Sequence, residues 1–571
     1  MQPPWAQTIG LKQSLVALQK KFQSGTELHR QGKLADAAKL YEEVTFYDRK
    51  HFGALHLLGV ICAQTGQFER AEELISKAIK IDPRNAEAYY NRGIALKELK
   101  RHGDALASYD KAILLKRNYA EAYYNRGIVL LELFRFEDAL ASNDKAILLK
   151  PEFAEAYNNR GIALKELRRY EDVLVSCDKA IALKPDYAEA YINRGIALKE
   201  LRRLDEALAS YNRAIAIKPD YPEAYSNRGR ALQDLKRLDE ALASYDRAIA
   251  LKPDYAEVYL NKSLCLLLQG KLSEGWKLYD WRWKQKELTQ KPPFPDKPPF
   301  NLEHRKNVLV WAEQGVGDEI MFASLISEFR NLCAKLIVQV DARLIPLFSR
   351  SISQDVTFFP KNSVVPQELY DQQLPIGSIA KYLRNDEASF IESRFGYLIA
   401  DSERTNEIKS FLSNKNRHKI CGISWRSKNE KTGESRSLML NSFLRLLFMG
   451  KYEFVSLQYG DTGEELIKAK AELGIDVLSC DQVDNFNDLD GLASLIQACD
   501  VVVSVDNTTV HMAGALGKDV RILLPHTAPE WRWQLNRKDS PWYSSATLYR
   551  QGADGDWESA FNEIKSDLQT V

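Results

Sequence analysis

The sequence has 571 residues, 45% of them hydrophobic and 27% charged, ordinary values for globular protein, with room for several domains or a long repeat array carrying one. Its 79 Lys and Arg balance 78 Asp and Glu, which gives no electrostatic reason to expect nucleic acid or an anionic membrane as partner. Seven scattered cysteines (Cys62, Cys177, Cys265, Cys333, Cys421, Cys480 and Cys499) include no C-x-x-C pair, which argues against a disulfide framework or structural zinc and for buried thiols in a reducing compartment.

Met1-Gln-Pro-Pro-Trp-Ala opens the chain without the basic and then apolar pattern of a signal peptide. No apolar run reaches the roughly 18 residues of a membrane span. A cytoplasmic protein without a membrane span is expected.

The first part of the chain is periodic. Asn-Arg-Gly recurs at Asn91, Asn125, Asn159, Asn193 and Asn227, 34 residues apart. Gly marks one phase from Gly25 through Gly59, Gly93, Gly127, Gly161 and Gly195 to Gly229, and small residues mark two others, at Ala37 and Ala78 and their equivalents. Pro83, Pro151, Pro185, Pro219 and Pro253 close the units. The spacing predicts pairs of antiparallel helices that cross too closely for larger side chains, with Tyr89 and its equivalents beside the crossing and Pro stopping the second helix. Units are predicted to start near residues 18, 52, 86, 120, 154, 188, 222 and 256. In the last one Gly275 replaces Ala, and Trp276, Tyr279, Trp281 and Trp283 crowd the second helix. A terminal repeat needs a different outer face, so these aromatics are expected to pack on the next domain; the other reading is an aromatic ligand box.

On these residues the array resembles the tetratricopeptide repeat. That resemblance implies an α-solenoid with a groove for a polypeptide, and surfaces through which such arrays often self-associate into homo-oligomers. Asn occupies the sixth position of six successive units (Asn91, Asn125, Asn159, Asn193, Asn227 and Asn261), whereas the first two carry Gln23 and Leu57. The motif Ala-Glu-Ala-Tyr-x-Asn is similar to the repeats of the eukaryotic O-GlcNAc transferases, which implies a ladder of amides binding a peptide backbone. A side-chain amide donates and accepts at once and so suits any peptide sequence. The competing reading has these Asn residues cap or bridge neighbouring helices.

Five prolines in Lys291–Phe300 predict a stiff extended linker. Beyond it the period changes. Apolar runs Asn307–Ala312, Lys335–Val340, Lys419–Trp425, Glu453–Leu457, Asp500–Val505 and Asp519–Leu524 alternate with helical stretches such as Glu319–Arg330 and Val510–Leu516, and Trp557–Leu568 reads as a last helix. Alternating β and α predicts parallel sheet covered by helices, and the polar stretch Asn406–Arg417 suggests a break between two Rossmann-like halves. The expected organisation is a repeat array over 18–289, a linker over 290–306, and an α/β module of GT-B type with halves 307–405 (acceptor side) and 406–571 (nucleotide-sugar side).

Two stretches carry the chemistry. In Trp311-Ala-Glu-Gln-Gly-Val-Gly-Asp-Glu-Ile320 a strand runs through Gly315 and Gly317 into a helix start, where backbone N–H groups face a ligand. Asp318 there is either a general base or a first-turn acid of the helix. In Ser504-Val-Asp-Asn-Thr-Thr-Val-His511 a strand ends at Asp506. Asn507, Thr508 and Thr509 then open a helix suited to a diphosphate, with Asp506 near a ribose or sugar hydroxyl or else tying the loop. His511 is a ligand contact or a structural histidine.

At these residues, and at Gly422-Ile-Ser-Trp-Arg426, the module resembles glycosyltransferase family nine, the ADP-heptose:lipopolysaccharide heptosyltransferases, over roughly 307–565; Trp531–Leu535 and Asp539–Tyr543 look like the branch fused to tetratricopeptide repeats. The resemblance implies an inverting, metal-independent enzyme with no cofactor besides a nucleotide-sugar co-substrate. It makes Asp318 the base and places Asp506 to His511 around the donor, with Trp425 and Arg426 at a strand end, Arg426 neutralising the departing diphosphate and Gln458 near the nucleotide. Departures are plain. Heptosyltransferases lack the long array, more often carry Asp-Thr and a small residue where this chain has Asp506-Asn-Thr-Thr, and do not share Ser427–Arg436. Three functions are therefore expected in competition: transfer to a polypeptide held by the repeats, transfer to a glycan or lipid with the repeats used for assembly, and a non-catalytic scaffold.

Overall fold

The structure is a computed structural model and describes residues 4–285, 294, 296–390, 395–413, 418–428, 433–527 and 530–569. The chain forms two compact units, Met1–Arg228 and Gly229–Val571. The sequence places the boundary at the proline-rich segment; the contacts place it inside the helix Pro222–Asp234. The reason is that the last repeat packs into the α/β part, as described below.

In both units helix pairs follow the 34-residue phase. After the long opening helix Pro4–Arg30, the first helices of the pairs begin at Phe52, Ala86, Ala120, Ala154, Ala188, Pro222 and Ala256. Within each pair the glycine sets how close the helices come. A Cβ on Gly195 would lie 2.5 Å from Tyr211, and one on Gly93 as close to Tyr109. Where the facing residue is smaller the fit loosens: at Gly161 the nearest atom is the Cys177 sulfur at 3.2 Å. The turn between the two helices needs one left-handed residue. Gly32, Gly66 and Gly270 supply it at one phase, and Lys100, Phe134, Arg168, Arg202 and Lys236 hold φ of 57–61° at the same phase.

The Arg of Asn-Arg-Gly clamps three helices in the first unit. Arg126 donates to Asp110 of the preceding helix at 2.7 Å and to Ser142 of the following one at 2.5 Å; Arg160 and Arg194 repeat the pattern on Asp144 and Ser176, and on Asp178 and Ser210.

The second unit holds two wholly parallel sheets. In the first, β1 (Asn307–Trp311), β2 (Lys335–Val340), β3 (Val356–Pro360) and β4 (Gln372–Pro375) lie in the order β3-β2-β1-β4. In the second, β5 (Lys419–Ser424), β6 (Tyr452–Ser456), β7 (Val477–Leu478), β8 (Val501–Val505), β9 (Val520–Leu524) and β10 (Ala546–Arg550) lie in the order β10-β9-β8-β5-β6-β7. Each sheet therefore reverses its winding once, between β1 and β4 and between β5 and β8. A core of Ile423, Trp425, Phe443, Phe454, Val503 and Phe561 packs under the second sheet.

Three expectations change. The stretch Asn406–Arg417 is a helix, Ser402–Ser413, as far as it is described, and its Arg404 pairs with Asp488; residues 414–417 lie outside the described residues. The predicted helix Glu319–Arg330 is two, Val316–Ala323 and Ile326–Arg330, because the chain tightens where the Ser324 hydroxyl donates to the Met321 carbonyl at 2.7 Å. The described end of the proline-rich segment runs along the sheet: Pro299 bridges to Gln373, and Phe300 is buried against Phe329 and Tyr382. Residues 290–293 and 295 lie outside the described residues. Among the described residues no helix is long and apolar enough to cross a membrane.

The close helix crossing can be checked by substitution. Gly195→Ala overpacks against Tyr211 and is expected to cost about 1–3 kcal/mol; Gly161→Ala, facing Cys177, is expected to cost distinctly less. Chemical denaturation of the two variants measures the difference, and equal losses would count against steric control by the facing residue.

Candidate functional site

In open α/β sheets the crevice at the reversal point collects ligands, because the loops on either side part there. Both reversal points of the second unit open on one cavity of about 370 Å³. Gly315, Val316, Gly317 and Asp318 line it from the end of β1, and Asp506, Asn507, Thr508, Thr509 and His511 from the end of β8. The helices Val316–Ala323 and Thr508–Ala515 both start here, so two helix N-termini and their positive dipole ends meet at one cavity. Gly317 permits this, since a Cβ on it would stand 3.0 Å from the His511 ring. Thr509 is buried, and its hydroxyl has no hydrogen-bond partner.

A chain of alternating charge lines one wall. Asp318 accepts from Arg532, both bonds falling on Oδ1, one at 2.9 Å. Arg532 pairs with Glu530 at 2.7 Å, Glu530 with Arg436 at 2.8 Å, and Arg436 with Asp506 at 2.7 Å. Burial works against the charge on both arginines, yet the carboxylates around them hold their guanidiniums above the ordinary range. Burial also raises the Asp506 carboxyl, against the pull of Arg436. Arg343 and Lys428 complete the cationic lining.

His511 is a buried, neutral histidine. Burial, with Arg532 beside it, pushes its pKa down to about 3. Nδ1 lies 3.0 Å from the Tyr543 hydroxyl and the ring stacks on Trp533.

Three predicted donor residues do not line this cavity. Trp425 is fully buried in the core of the second sheet and donates to Glu465 at 3.4 Å. Arg426 turns to Glu465 at 2.9 Å and to the Asp461 carbonyl at 2.6 Å, off the cavity wall. Gln458 is buried, and its Oε1 accepts from Ser424 Oγ and from the backbone N–H of Trp425 and Arg426, each at 3.0 Å. It holds the ends of β5 and β6 together, although it borders a second polar hollow with Asn485 and Lys428. Asn507 lines the cavity but also serves the fold: it caps its own helix through Thr509 N and donates to Ser424 Oγ at 2.8 Å. Sequence reasoning missed Arg436, Glu530 and Arg532. The available signal was an arginine between two tryptophans, Trp531-Arg-Trp533, an odd company for a surface charge.

Four of the six asparagines of the ladder meet their own preceding repeat. Asn91 lies 3.0 Å from the His56 ring nitrogen, Asn125 donates to the Tyr90 hydroxyl at 2.9 Å, and Asn193 donates to the Asn158 carbonyl oxygen at 2.9 Å. Asn159 is buried and hydrogen-bonds Tyr124. Asn227 donates to the Glu223 carbonyl one turn back, and the Asn261 amide nitrogen is buried without a partner. The bonds of Asn91, Asn125, Asn159 and Asn193 bridge helices, as in the second of the two readings of the ladder, whereas Asn227 and Asn261 show no such bridge.

Comparison with known proteins bears on the repeats. Models described as tetratricopeptide repeat or TPR repeat match residues 28–92, 65–123, 90–147, 154–187, 176–209, 197–236 and 222–255. Protein FlbA of Caulobacter vibrioides is 27% identical over 328 residues, which cover 53% of this chain and 53% of FlbA; the chain thus spans about half the length of that curated relative. Among solved structures, YrrB, described as a TPR protein with an unusual peptide-binding site, is 28% identical with a TM-score of 0.29 over 33% of this chain and 96% of its own. TTC0263, a TPR protein of Thermus thermophilus, is 26% identical with a TM-score of 0.29 over 32% of this chain and all of its own. The array consists of tetratricopeptide repeats.

Two measurements bear on these assignments. Asn193→Ala leaves the buried Asn158 amide without its partner and is expected to destabilise by about 1–3 kcal/mol in denaturant unfolding; no loss would return Asn193 to the groove. His511 takes up a proton more readily unfolded than folded, so its contribution is complete above about pH 6.5 and is lost as pH falls towards 3, by about 1.4 kcal/mol per pH unit in that window. The acid loss of melting temperature should therefore be shallower in His511→Gln than in the parent protein, and parallel curves would refute the buried neutral state.

Proposed function

We propose that the second unit is a glycosyltransferase of GT-B arrangement that moves a sugar from a nucleotide-sugar to a polypeptide acceptor bound by the repeats, with inversion and without a metal. The observation that carries this reading is the convergence of two sheet reversal points, two helix N-termini and four cationic side chains on one cavity. Those are the groups a diphosphate needs, and the buried unpartnered Thr509 hydroxyl is a ready donor to it.

In the reaction the acceptor oxygen bonds to the anomeric carbon while the bond from that carbon to the diphosphate oxygen breaks. Asp318 takes the acceptor proton. The negative charge leaves on the diphosphate, met by Arg436, Arg532 and the helix N-termini. The donor has a second task, to draw Arg532 off Asp318, because both of its hydrogen bonds fall on Oδ1 of the carboxylate that must reach the acceptor hydroxyl. Catalysis would rest on placement and on charges fixed in advance.

The ladder supports the polypeptide acceptor less than its sequence does, since the amide nitrogens of Asn91, Asn125 and Asn193 bridge repeats. A glycan or lipid acceptor, with the repeats used for assembly, fits the same site. A non-catalytic scaffold has one observation in its favour: the charge chain from Asp318 to Asp506 is already self-paired.

Incubating the protein with a panel of nucleotide-sugars and following release of nucleoside diphosphate separates these readings. The parent protein should release diphosphate from one donor, and Asp318→Asn should reduce the rate by about 10²–10⁴-fold while leaving diphosphate binding intact. Full activity in Asp318→Asn would remove Asp318 as the base. No release and no binding in the parent protein would leave the scaffold.

A further inference from the structure

The last repeat does more than close the array. Its second helix, Leu272–Tyr279, and the following turn Asp280–Lys284 touch both arms of the cavity, and each contact falls close in the chain to a group that lines it.

On the arm after β1, Arg282 donates two hydrogen bonds to Glu313, at 2.8 and 2.6 Å. Glu313 also accepts from the backbone N–H of Gly377, just past β4, at 3.1 Å. One carboxylate thus ties the last repeat to both sides of the β1/β4 reversal point. The next residue, Gln314, donates to the Tyr279 hydroxyl at 2.8 Å, and the loop Gly315–Asp318 follows directly. On the other arm, Trp531 packs edge-on against Trp276, with ring centroids 5.4 Å apart, and lies 6.0 Å from Tyr279. Trp531 is flanked by Glu530 and Arg532, two members of the charge chain. Arg282 and Trp276 are buried, so these contacts are part of the core and not a surface brush.

We infer that the terminal tetratricopeptide repeat is a working part of the cleft, and that Trp276, Tyr279 and Arg282 are positioning residues that fix the Gly315–Asp318 loop and the Glu530–Arg532 segment at the spacing a diphosphate requires. A misplacement of about 1 Å between such arms weakens binding and slows reaction far more than the removed hydrogen bond itself is worth. The inference rests on the reading of the cavity as a nucleotide-diphosphate site. It adds that an α/β module separated from this repeat would lose the site while keeping both sheets.

The experiment uses the full chain and three variants. Arg282→Met removes the bonds to Glu313, Tyr279→Phe removes only the hydroxyl that Gln314 reaches, and Trp281→Ala is the control. Trp281 belongs to the same turn but stacks on Tyr259 of its own repeat, so its loss loosens the repeat away from the two arms. Binding of ADP, GDP, UDP and CDP is measured by calorimetry, and amide hydrogen exchange is followed over residues 313–318 and 530–533. Arg282→Met is expected to weaken the diphosphate that the parent protein binds by at least about tenfold, with Tyr279→Phe between it and the parent and Trp281→Ala like the parent. Equal affinities across all variants, or an equal loss in Trp281→Ala, would overturn the inference. Should the parent protein bind none of the diphosphates, the nucleotide reading itself fails. Exchange then decides the positioning role alone: faster exchange of both segments in Arg282→Met than in Trp281→Ala upholds it, and equal exchange ends it.

Discussion

The chain of charge Asp318–Arg532–Glu530–Arg436–Asp506 is the constraint on which the second unit turns. It joins the end of β1 to the end of β8, and so joins one sheet's reversal point to the other's. Isolated buried charges are expensive, and each partner here is tolerated only because its neighbours are present. Three carboxylates alternate with two guanidiniums, so every guanidinium has acid on both sides. The arrangement holds the arginines charged and oriented without a ligand. An incoming polyanion would find them already in place and would have to compete only with carboxylates.

The same logic explains why the last repeat departs from its predecessors. Earlier repeats stack on the next helix pair and need the small residue that lets the helices cross. The last one has no following pair to receive it. Gly275 opens the space, a Cβ there standing 2.7 Å from Leu267, and Trp276 beside it reaches Phe322 and Trp531. Arg282 lies on the Tyr279 ring at 4.2 Å and satisfies Glu313 in the loop beyond. The contacts therefore assign this repeat to the second unit, across a segment whose sequence period alone gives no hint of a division.

What could be read from the sequence was what repeats or alternates. The 34-residue phase located the first helices from Phe52 onward to the residue, because Gly, Ala and Pro each answer a steric demand that recurs. The strands with continuous apolar runs were legible too, since β1, β2, β5 and β8 are buried on both faces. The strands β3, β4, β7 and β10 were not. Half of β4 is Gln372 and Gln373, buried and polar, and β7 is two residues long. At the site, Gly315 to Asp318 and Asp506 to His511 were legible because a strand running into a glycine or hydroxyl-rich helix start is a local signal. Arg436, Glu530 and Arg532 were not, because they reach the cavity from segments far along the chain and owe their place to partners rather than to a motif. Trp425, Arg426 and Gln458 were legible as candidates for a different reason. They sit at strand ends, where ligand groups belong, but the strand ends themselves need tying, and Gln458 gives three acceptor contacts to that task.

The asparagine ladder turns on the same distinction. Identity at one phase of a repeat has two physical sources, a shared ligand or a shared neighbour, and the sequence cannot separate them because both recur with the same period. The partners can. A residue kept for a ligand would face the same empty space in every unit, whatever the preceding unit carries. Asn91, Asn125 and Asn193 instead meet whatever stands 35 residues earlier: an imidazole at His56, a phenol at Tyr90, an amide at Asn158. An amide is a neutral side chain that can bond all three, donating where it must and accepting where it must. At these three positions its constancy beside a varying partner is thus what an interface between repeats requires, and the Arg that follows the asparagine, bonded to Asp on one side and Ser on the other at Arg126, Arg160 and Arg194 and to Glu72 and Ser108 at Arg92, serves the same interface.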